Sequence, residues 1–392
     1  MQMNIDWKIL MNSFKIPKIR FNRFDSVWEE DRIADIVKIS AGGDVDKVKL
    51  KESGKYPVIA NALTNKGIVG FYDDYKVKAP AVTVTGRGDV GYAVARHENF
   101  TPIVRLLTLQ SENIDVDYLE NQINSMRILN ESTGVPQLTA PQLGNYKVYH
   151  PEIEEQSAIG SLFRTLDELL SSYKDNLTNY QSIKTTMLSK MFPKSEQTIP
   201  EIRLDGFKEE WEVKKLRKVV QINPKSELPE KFKYIDLESV VGTRINKIRE
   251  EYKETAPIRA QRLAEKGDIF YQTVRPYQKN NYLFKLDDVD YVFSTGYAQL
   301  RPKRTSCDSD FLLTLLQDNK FLSKVLDRCT GTSYPAINAK DLVEISIVIP
   351  KVEEQQAIGS YFSNLDNLIN SYQEKISQLE TLKKKLLQDM FI

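Results

Sequence analysis

Two stretches of this chain place an apolar side chain at every seventh residue. The first runs through Ile159, Leu166, Tyr173, Tyr180 and Met187, the second through Ile358, Leu365, Tyr372, Leu379 and Leu386. A sustained seven-residue spacing predicts helices that pack on other helices in the manner of a coiled coil. In the first, Leu162, Leu169 and Ile183 are assigned to the facing seam, interrupted by Asn176 and Lys190, while Phe163, Leu170 and Leu177 widen the stripe. In the second, the facing seam is Tyr361, Leu368 and Leu382, interrupted by Lys375 and Asp389. The polar seam positions Asn176 and Lys375 are expected to fix register at some cost in stability. Pro151 and Pro350 suit a first helical turn, and the glutamates after them complement the helix dipole. About 40 residues at 1.5 Å each give rods of ~60 Å.

The two stretches are copies. Pro151-Glu-Ile-Glu-Glu-Gln-Ser-Ala-Ile-Gly-Ser-Leu-Phe163 returns as Pro350-Lys-Val-Glu-Glu-Gln-Gln-Ala-Ile-Gly-Ser-Tyr-Phe362, and 18 of 42 aligned positions to Phe192 and Phe391 are identical. The likeness extends upstream, where Ser132-Thr-Gly-Val-Pro-Gln-Leu138 matches Gly331-Thr-Ser-Tyr-Pro-Ala-Ile337 and Leu143 matches Leu342 at the same offset. A second matched block is Ile16-Pro-Lys-Ile-Arg20 with Phe24 and Trp28, against Ile199-Pro-Glu-Ile-Arg203 with Phe207 and Trp211. One copy of that block follows the first long helix; the other stands near the N-terminus. The repeat therefore closes only as a circle, which requires the end of the second helix to lie near residue 16. Two antiparallel helices satisfy this. An ordinary core helix or the coiled coil of a homodimer is the competing account, but two related helices in one chain, each following a globular region, favour an internal pair.

Between the matched blocks, residues 30–131 and 213–330 are two different fillings of one frame. Lys55–Ala60, Ala79–Thr85 and Val90–Arg96 alternate like short strands bounded by turn residues, as do Gly267–Pro276, Tyr291–Ser294 and Ala298–Arg301. Short helices are expected at Asp117–Ile128 and Asp310–Asp327. The fold class is thus α+β: two mixed globular regions joined by two long antiparallel helices in a pseudo-two-fold, circular order. The expected divisions are 1–150, 151–192 for the first helix, 193–349, and 350–392 for the second.

A chain of 392 residues has room for two cores. No apolar run approaches the ~20 residues that span a bilayer, and the first residues lack the basic start and apolar stretch of a signal peptide. Cys307 and Cys329 are the two cysteines, which fits structural thiols in a reducing cytoplasm. The net charge is +1, but residues 38–105 carry an excess of +4 and 242–304 of +5, so basic character sits in the variable regions.

Catalytic signatures are missing. Gly86-Arg-Gly-Asp-Val-Gly91 matches a dinucleotide fingerprint only formally, because an alternating strand follows it where a helix is needed; a tight hairpin is predicted. No kinase motifs follow it, no P-loop lysine motif exists, and the Pro-Pro pair of amino-methyltransferases is absent. His97 and His150 lack partner motifs, and no carboxylates are spaced as a metal or acid–base site.

The repeated Pro-x-x-Glu-Glu-Gln-x-Ala-Ile-Gly helix resembles the conserved region of type I restriction-modification specificity subunits. So do the Gly-Thr-x-x-Pro turn before it, the Ile-Pro-x-Ile-Arg block and the Gly267-Asp-Ile…Val-Arg-Pro-Tyr277 segment. The likeness covers the chain from about residue 16; the lead before it departs from the pattern, so either Met11 is the start or the lead packs on the end of the second helix. The resemblance implies that each variable region is a target-recognition domain reading one half of a bipartite, asymmetric target in double-stranded DNA. The helices would act as a spacer ruler and as a docking surface for two methyltransferase subunits. Those partners would carry S-adenosylmethionine and flip an adenine, and motor-nuclease restriction subunits would use ATP and magnesium. The chain itself would hold no cofactor or metal and catalyse nothing. A stand-alone DNA-modifying enzyme and a protein-binding coiled-coil scaffold are the rival readings; methyl transfer by the purified chain, or failure to select a gapped DNA site, distinguishes them.

On that reading, base contacts need paired donors and acceptors. The candidates are Asn61, Arg87 and Arg96 in the first region, and Gln272, Arg275, Tyr277, Lys279 and Asn280 in the second. Lys55, Arg244 and Lys303 are candidates for phosphate contacts, which position without specifying. Arg87, between glycines at a hairpin tip, is expected to reach the major groove. Arg87→Ala should weaken binding to the cognate site by about 1–3 kcal/mol in a titration, and an unchanged affinity removes it from the set.

Overall fold

The computed structural model describes residues 16–126, 128, 137–194 and 197–391. The lead before Ile16 and the Ser132–Pro136 part of the first repeated turn lie outside them. The chain divides into two units. The first holds the described residues up to Asp175 and from Glu374 onward, the second Asn176–Gln373. The division thus runs through the long helices, so each unit contains part of each.

In the first unit, β1 (Glu29–Arg32), α1 (Ile33–Ile36), β2 (Lys38–Ala41), β3 (Tyr56–Ile59), β4 (Ile68–Tyr72), β5 (Ala81–Val84), β6 (Ala93–Arg96), β7 (Thr101–Pro102) and β8 (Leu107–Gln110) precede α2 (Val116–Ser125), α3 (Ala140–Gly144), β9 (Lys147–His150) and the long α4 (Ile153–Met191). Beyond α4 follow, in the second unit, β10 (Glu212–Lys215), α5 (Leu216–Val219), β11 (Val220–Ile222), β12 (Lys231–Ile235), β13 (Val240–Val241), β14 (Arg244–Ile245), β15 (Arg249–Tyr252) and β16 (Ala260–Leu263). It continues with β17 (Ile269–Gln272), β18 (Tyr282–Leu283), β19 (Tyr291–Ser294), β20 (Tyr297–Pro302), α6 (Ser309–Gln317), α7 (Asn319–Leu326), α8 (Ala339–Val343) and β21 (Ser346–Ile349), ending in the long α9 (Val352–Asp389). The α+β class holds. No helix among the described residues is long and apolar enough to cross a membrane.

The two fillings share a topology that their sequences do not show. A four-stranded sheet in the order β2-β8-β5-β6 in one unit corresponds to β11-β20-β17-β18 in the other. A smaller sheet, β4-β3-β7, corresponds to β15-β12-β19-β16, and in both the central strand pairs parallel to a strand that arrives later in the chain. The second unit adds β16 and the β13–β14 hairpin.

The frame is repeated atom for atom. Arg20 donates from Nε and Nη2 to the Glu155 carboxylate at 2.7 and 2.6 Å, and Arg203 does the same to Glu354 at 2.7 and 2.7 Å. Glu155 and Glu354 are fully buried, so each fork is an ion pair out of water. The next residue of the motif works on the globular region. Gln156 donates to the Pro151 carbonyl and accepts from the Asp115 amide; Gln355 donates to the Pro350 carbonyl and accepts from the Asp308 amide. Asp115 and Asp308 in turn cap α2 and α6. The glycine of the motif is required here. A Cβ on Gly160 would lie 2.5 Å from Asp115 Oδ1 and 2.8 Å from the Tyr118 amide, and on Gly359 2.7 Å from Asp308 Oδ1 and 2.7 Å from the Phe311 amide.

Beside each clamp sits an aromatic cluster: Trp28, Tyr118, Phe163 and Phe391 in one unit, Trp211, Phe311, Phe362 and Phe192 in the other. The circle closes as the repeat demands. The Ile19 amide donates to the Asp389 carbonyl at 2.9 Å, and the matching Ile202 amide to the Lys190 carbonyl at 3.0 Å.

The long helices are antiparallel within each unit. Lys383 meets Asp167 at 2.5 Å and Lys174 meets Glu380 at 2.8 Å in the first; Lys184 meets Asp366 at 2.5 Å in the second, where Tyr180 and Tyr372 also lie 5.5 Å apart. The series Ile159, Leu166, Tyr173, Tyr180, Met187 and its counterpart Ile358, Leu365, Tyr372, Leu379, Leu386 face inward, buried or half-buried. The facing seam differs from expectation. Phe163, Leu170 and Leu177, with Phe362, Ile369 and Ile376, fill it, whereas Leu169, Ile183, Leu368 and Leu382 are 36–45% exposed. Steps of three and of four residues continue a heptad equally well; the choice falls to Phe163 and Phe362, which enter the aromatic clusters and so set the rotation of each helix. The polar seam residues are consequently Lys184 and Lys383 with their aspartates, while Lys375 lies over the Tyr173 ring at 5.7 Å.

Glu354→Ala should strand the Arg203 charge and lower unfolding stability of the second unit by about 3–5 kcal/mol, measured by urea denaturation. The exposed neighbour Glu353→Ala should stay within about 0.5 kcal/mol of wild type.

Candidate nucleic-acid interface

In both units a central strand, β5 or β17, ends beside the last residues of the repeated upstream block, Gln137–Leu138 in the first and Ala336–Ile337 in the second. The Gly86 carbonyl after β5 accepts from the Leu138 amide at 2.9 Å, and the Thr273 carbonyl after β17 accepts from the Ile337 amide at 3.0 Å. Arg87 bridges to Gln137 and Val274 to Ala336. Arg87 and, one residue past the matching Val274, Arg275 thus emerge at corresponding strand ends.

In the first unit one side chain organises this end. Asn61 accepts from the Gly86 amide at 2.7 Å and donates to the Val104 carbonyl at 2.7 Å. Its amide therefore braces the loops and does not lie open toward a ligand. The Gly86–Gly91 segment is the β5–β6 hairpin predicted, with Gly88 and Gly91 at positive φ. Arg87 is half-buried and its guanidinium makes no bond among the described residues. Arg96 sits at the other end of β6, opposite Ala81, and is buried. It donates to Thr83 Oγ1 at 2.9 Å and to the Lys66 carbonyl at 2.7 Å, and burial pulls its pKa down to about 10. It is a brace within the domain, a correction to its place among the base-reading candidates. Lys55 precedes β3, at the far end of that strand from Asn61, with its ammonium 5.1 Å from the Tyr56 ring.

Reasoning from sequence did not single out Val104 and Arg105. They form the corner between β7 and β8, with φ of 51° and 59°, and the Leu106 amide closes the turn on the Ile103 carbonyl at 3.1 Å. A left-handed non-glycine residue costs about 1–2 kcal/mol, and a β-branched one is rarer still. Both side chains are exposed, flanked by buried Ile103 and Leu106.

In the second unit Gln272 is the organiser. It is buried, donates to the Val274 carbonyl and to Gln278 at 2.7 Å each, and accepts from the Asn280 amide at 3.3 Å. Asn280 accepts from the Gly242 amide at 2.8 Å, which fastens the β13–β14 hairpin carrying Arg244. Arg275 lies over the ring of Tyr334 at 4.3 Å, and Tyr334, in the repeated turn, is 63% exposed. Tyr277 is also exposed. Between the hairpin, Arg275 and Tyr334 opens a cleft of about 400 Å³. Lys279 has another task. Its ammonium donates to the Gln317 carbonyl at 2.7 Å and to Asn319 at 2.6 Å, closing the C-terminus of α6, and burial lowers its pKa. Lys303 follows the far end of β20 from Tyr297, six residues or roughly 20 Å from the Gln272 end, and donates to the Lys218 carbonyl.

Cys307 is buried, with its thiol pushed up to about 12 by burial, and Asp268 of the Gly-Asp-Ile segment is a buried acceptor for Arg301 and Gln299. Metal-ligating side chains converge once among the described residues, at Glu29, Asp31 and His150 on the β1–β9 pair, within 4.8 Å of one another. His150 is hydrogen-bonded to Asp31 there at 3.0 Å. In the second unit the matching face carries Lys214 on Glu212.

Two repeated helices clamped to two α+β domains, with Arg87 and Arg275 at corresponding strand ends, define a protein built as a duplicated frame with unlike fillings. The sequence model of the type I restriction modification DNA specificity domain matches residues 25–179 and again 208–381, and the chain belongs to that family. It is 24% identical over 396 aligned residues to the type I restriction enzyme MjaVIII specificity subunit of Methanocaldococcus jannaschii, covering 92% of this chain and 91% of that one. The HindI specificity subunit of Haemophilus influenzae is 28% identical over 178 residues, 44% of this chain and 36% of its own length. The crystal structure of the type I restriction-modification S subunit from M. genitalium shares the fold, with a TM-score of 0.70 at 17% identity, covering 96% of this chain and 99% of that one.

Arg275→Ala should relax base selection in one half-site by about 1–3 kcal/mol, read by competition binding against single-base variants. Lys279→Met should lower the melting temperature and leave selection unchanged.

Proposed function

We propose that this chain is the non-catalytic DNA-reading subunit of a cytoplasmic type I restriction-modification complex, each unit reading one half of a gapped, asymmetric target. One observation carries the proposal: an identical frame holds two different reading ends. The clamps, caps and aromatic clusters recur residue for residue, while the strand ends carry Arg87, Val104 and Arg105 in one unit and Arg275, Tyr334 and the Val240–Ile245 hairpin in the other. A quasi-symmetric holder with unlike readers fits an asymmetric sequence. The helices act as the ruler between half-sites.

Two copies of one methyltransferase subunit fit the exposed apolar positions of the helices. Leu169 and Leu382 in the first unit correspond by the repeat to Leu368 and Ile183 in the second, and all four are exposed. The same apolar pair offered twice suits two identical partners. S-adenosylmethionine belongs to those partners, and ATP and magnesium to the restriction subunits.

Co-expression with its methyltransferase subunit in cells without adenine methylation, followed by methylome sequencing, should return a gapped methyladenine motif. A heptad inserted into both α4 and α9 should lengthen the gap by about three base pairs and leave both half-sites unchanged. An ungapped motif, or none, refutes the reading.

A further inference from the structure

The corner at Val104–Arg105 is built as a fixed mount for two outward side chains. The backbone amides of the corner are engaged within the first unit. The Val104 amide donates to the Gly43 carbonyl at 2.7 Å and the Arg105 amide to the Gly42 carbonyl at 3.0 Å. The Gly42 amide donates to the Leu106 carbonyl at 2.8 Å, and the Val104 carbonyl accepts from Asn61. Gly42 has no space for a side chain, since a Cβ there would lie 2.6 Å from the Pro102 carbonyl carbon. The Arg105 guanidinium makes no hydrogen bond or ion pair among the described residues, and Val104 is 41% exposed.

The second unit solves the same crossing without this device. Between β19 and β20 stand Thr295 and Gly296; Gly296 is buried, and a Cβ on it would strike Leu237 at 2.8 Å. No side chain projects from that glycine. A two-residue turn with both φ positive strongly favours Asn-Gly, so valine and arginine in the first unit run against local preference. Strain of this kind persists only where surrounding structure over-determines it, and it gathers at functional sites. Asn61 further couples this corner to the Gly86 amide, so Arg105 and Arg87 are mounted on one shared bracket.

We propose that Val104 and Arg105 are specificity-determining residues of the first unit: Arg105 donates to guanine O6 and N7 in the major groove, and Val104 packs on a neighbouring thymine methyl. This rests on the reading that the first unit recognises one half-site. The chemistry follows from the side chains. A free guanidinium fork matches guanine, and a rigid branched apolar group matches the one methyl in the groove.

The test is methylome sequencing of the co-expressed complex with wild type, Arg105→Ala, and the double variant Val104→Asn with Arg105→Gly. The double variant installs the preferred turn, so its melting temperature should rise by roughly 2–4 °C. Both variants should lose discrimination at one G·C position of one half-site, roughly five- to a hundredfold, while the other half and the gap stay as in wild type. In the double variant the adjacent thymine preference should fall too. A gapped motif unchanged in both variants overturns the assignment alone. So does a loss of methylation spread evenly over all sites, which marks a phosphate contact. Absence of a gapped motif in wild type overturns it together with the half-site reading.

Discussion

The structure depends on a carboxylate buried at the start of each long helix and gripped by an arginine from a block distant in sequence. Glu155 with Arg20, and Glu354 with Arg203, are bidentate pairs removed from water. Such a pair adds little net stability over an apolar contact, but losing either partner leaves a charge in a medium that cannot solvate it. The pair therefore excludes other arrangements of the helix, the preceding block and the domain. Glutamine and glycine of the same motif extend the constraint. Gln156 and Gln355 hold the caps of α2 and α6, and Gly160 and Gly359 let those helix starts approach closely. One short motif so aligns a rod with a domain, twice.

With the holder fixed, the fillings are free to differ. The β2-β8-β5-β6 sheet and its counterpart β11-β20-β17-β18 keep one strand order, although residues 30–131 and 213–330 share no detailed sequence. The polar organisers differ as well: Asn61 secures two loops in the first unit, and the buried Gln272 with Asn280 secures a loop and a hairpin in the second. These amides hold the strand-end loops from behind. The groups left facing outward are arginines, an aromatic ring and a strained corner, each mounted on hydrogen-bonded loops.

The long helices, the duplication and its circular closure were legible because each leaves a periodic or repeated trace in the chain. The Gly86–Gly91 hairpin was legible too, from glycines set before an alternating strand. The seam was half legible. Leu162 and Phe163 continue the heptad equally well, and only the aromatic cluster around Trp28 selects Phe163. Among polar candidates, residue type could not separate reader from brace. Arg96, Gln272 and Lys279 carry the right donors, yet each is held by carbonyls or amides of its own domain. Val104 and Arg105 gave no turn signal, since their left-handed backbone is imposed by Gly42, Gly43 and Asn61 from elsewhere in the chain.

By itself, then, the sequence determined the architecture: local helical periodicity and a repeated motif are properties of neighbouring residues, and they survive without knowledge of contacts. Only the tertiary structure decided which polar side chains face outward. That outcome depends on which distant carbonyls and amides surround each group once the chain has packed, and no local pattern records it.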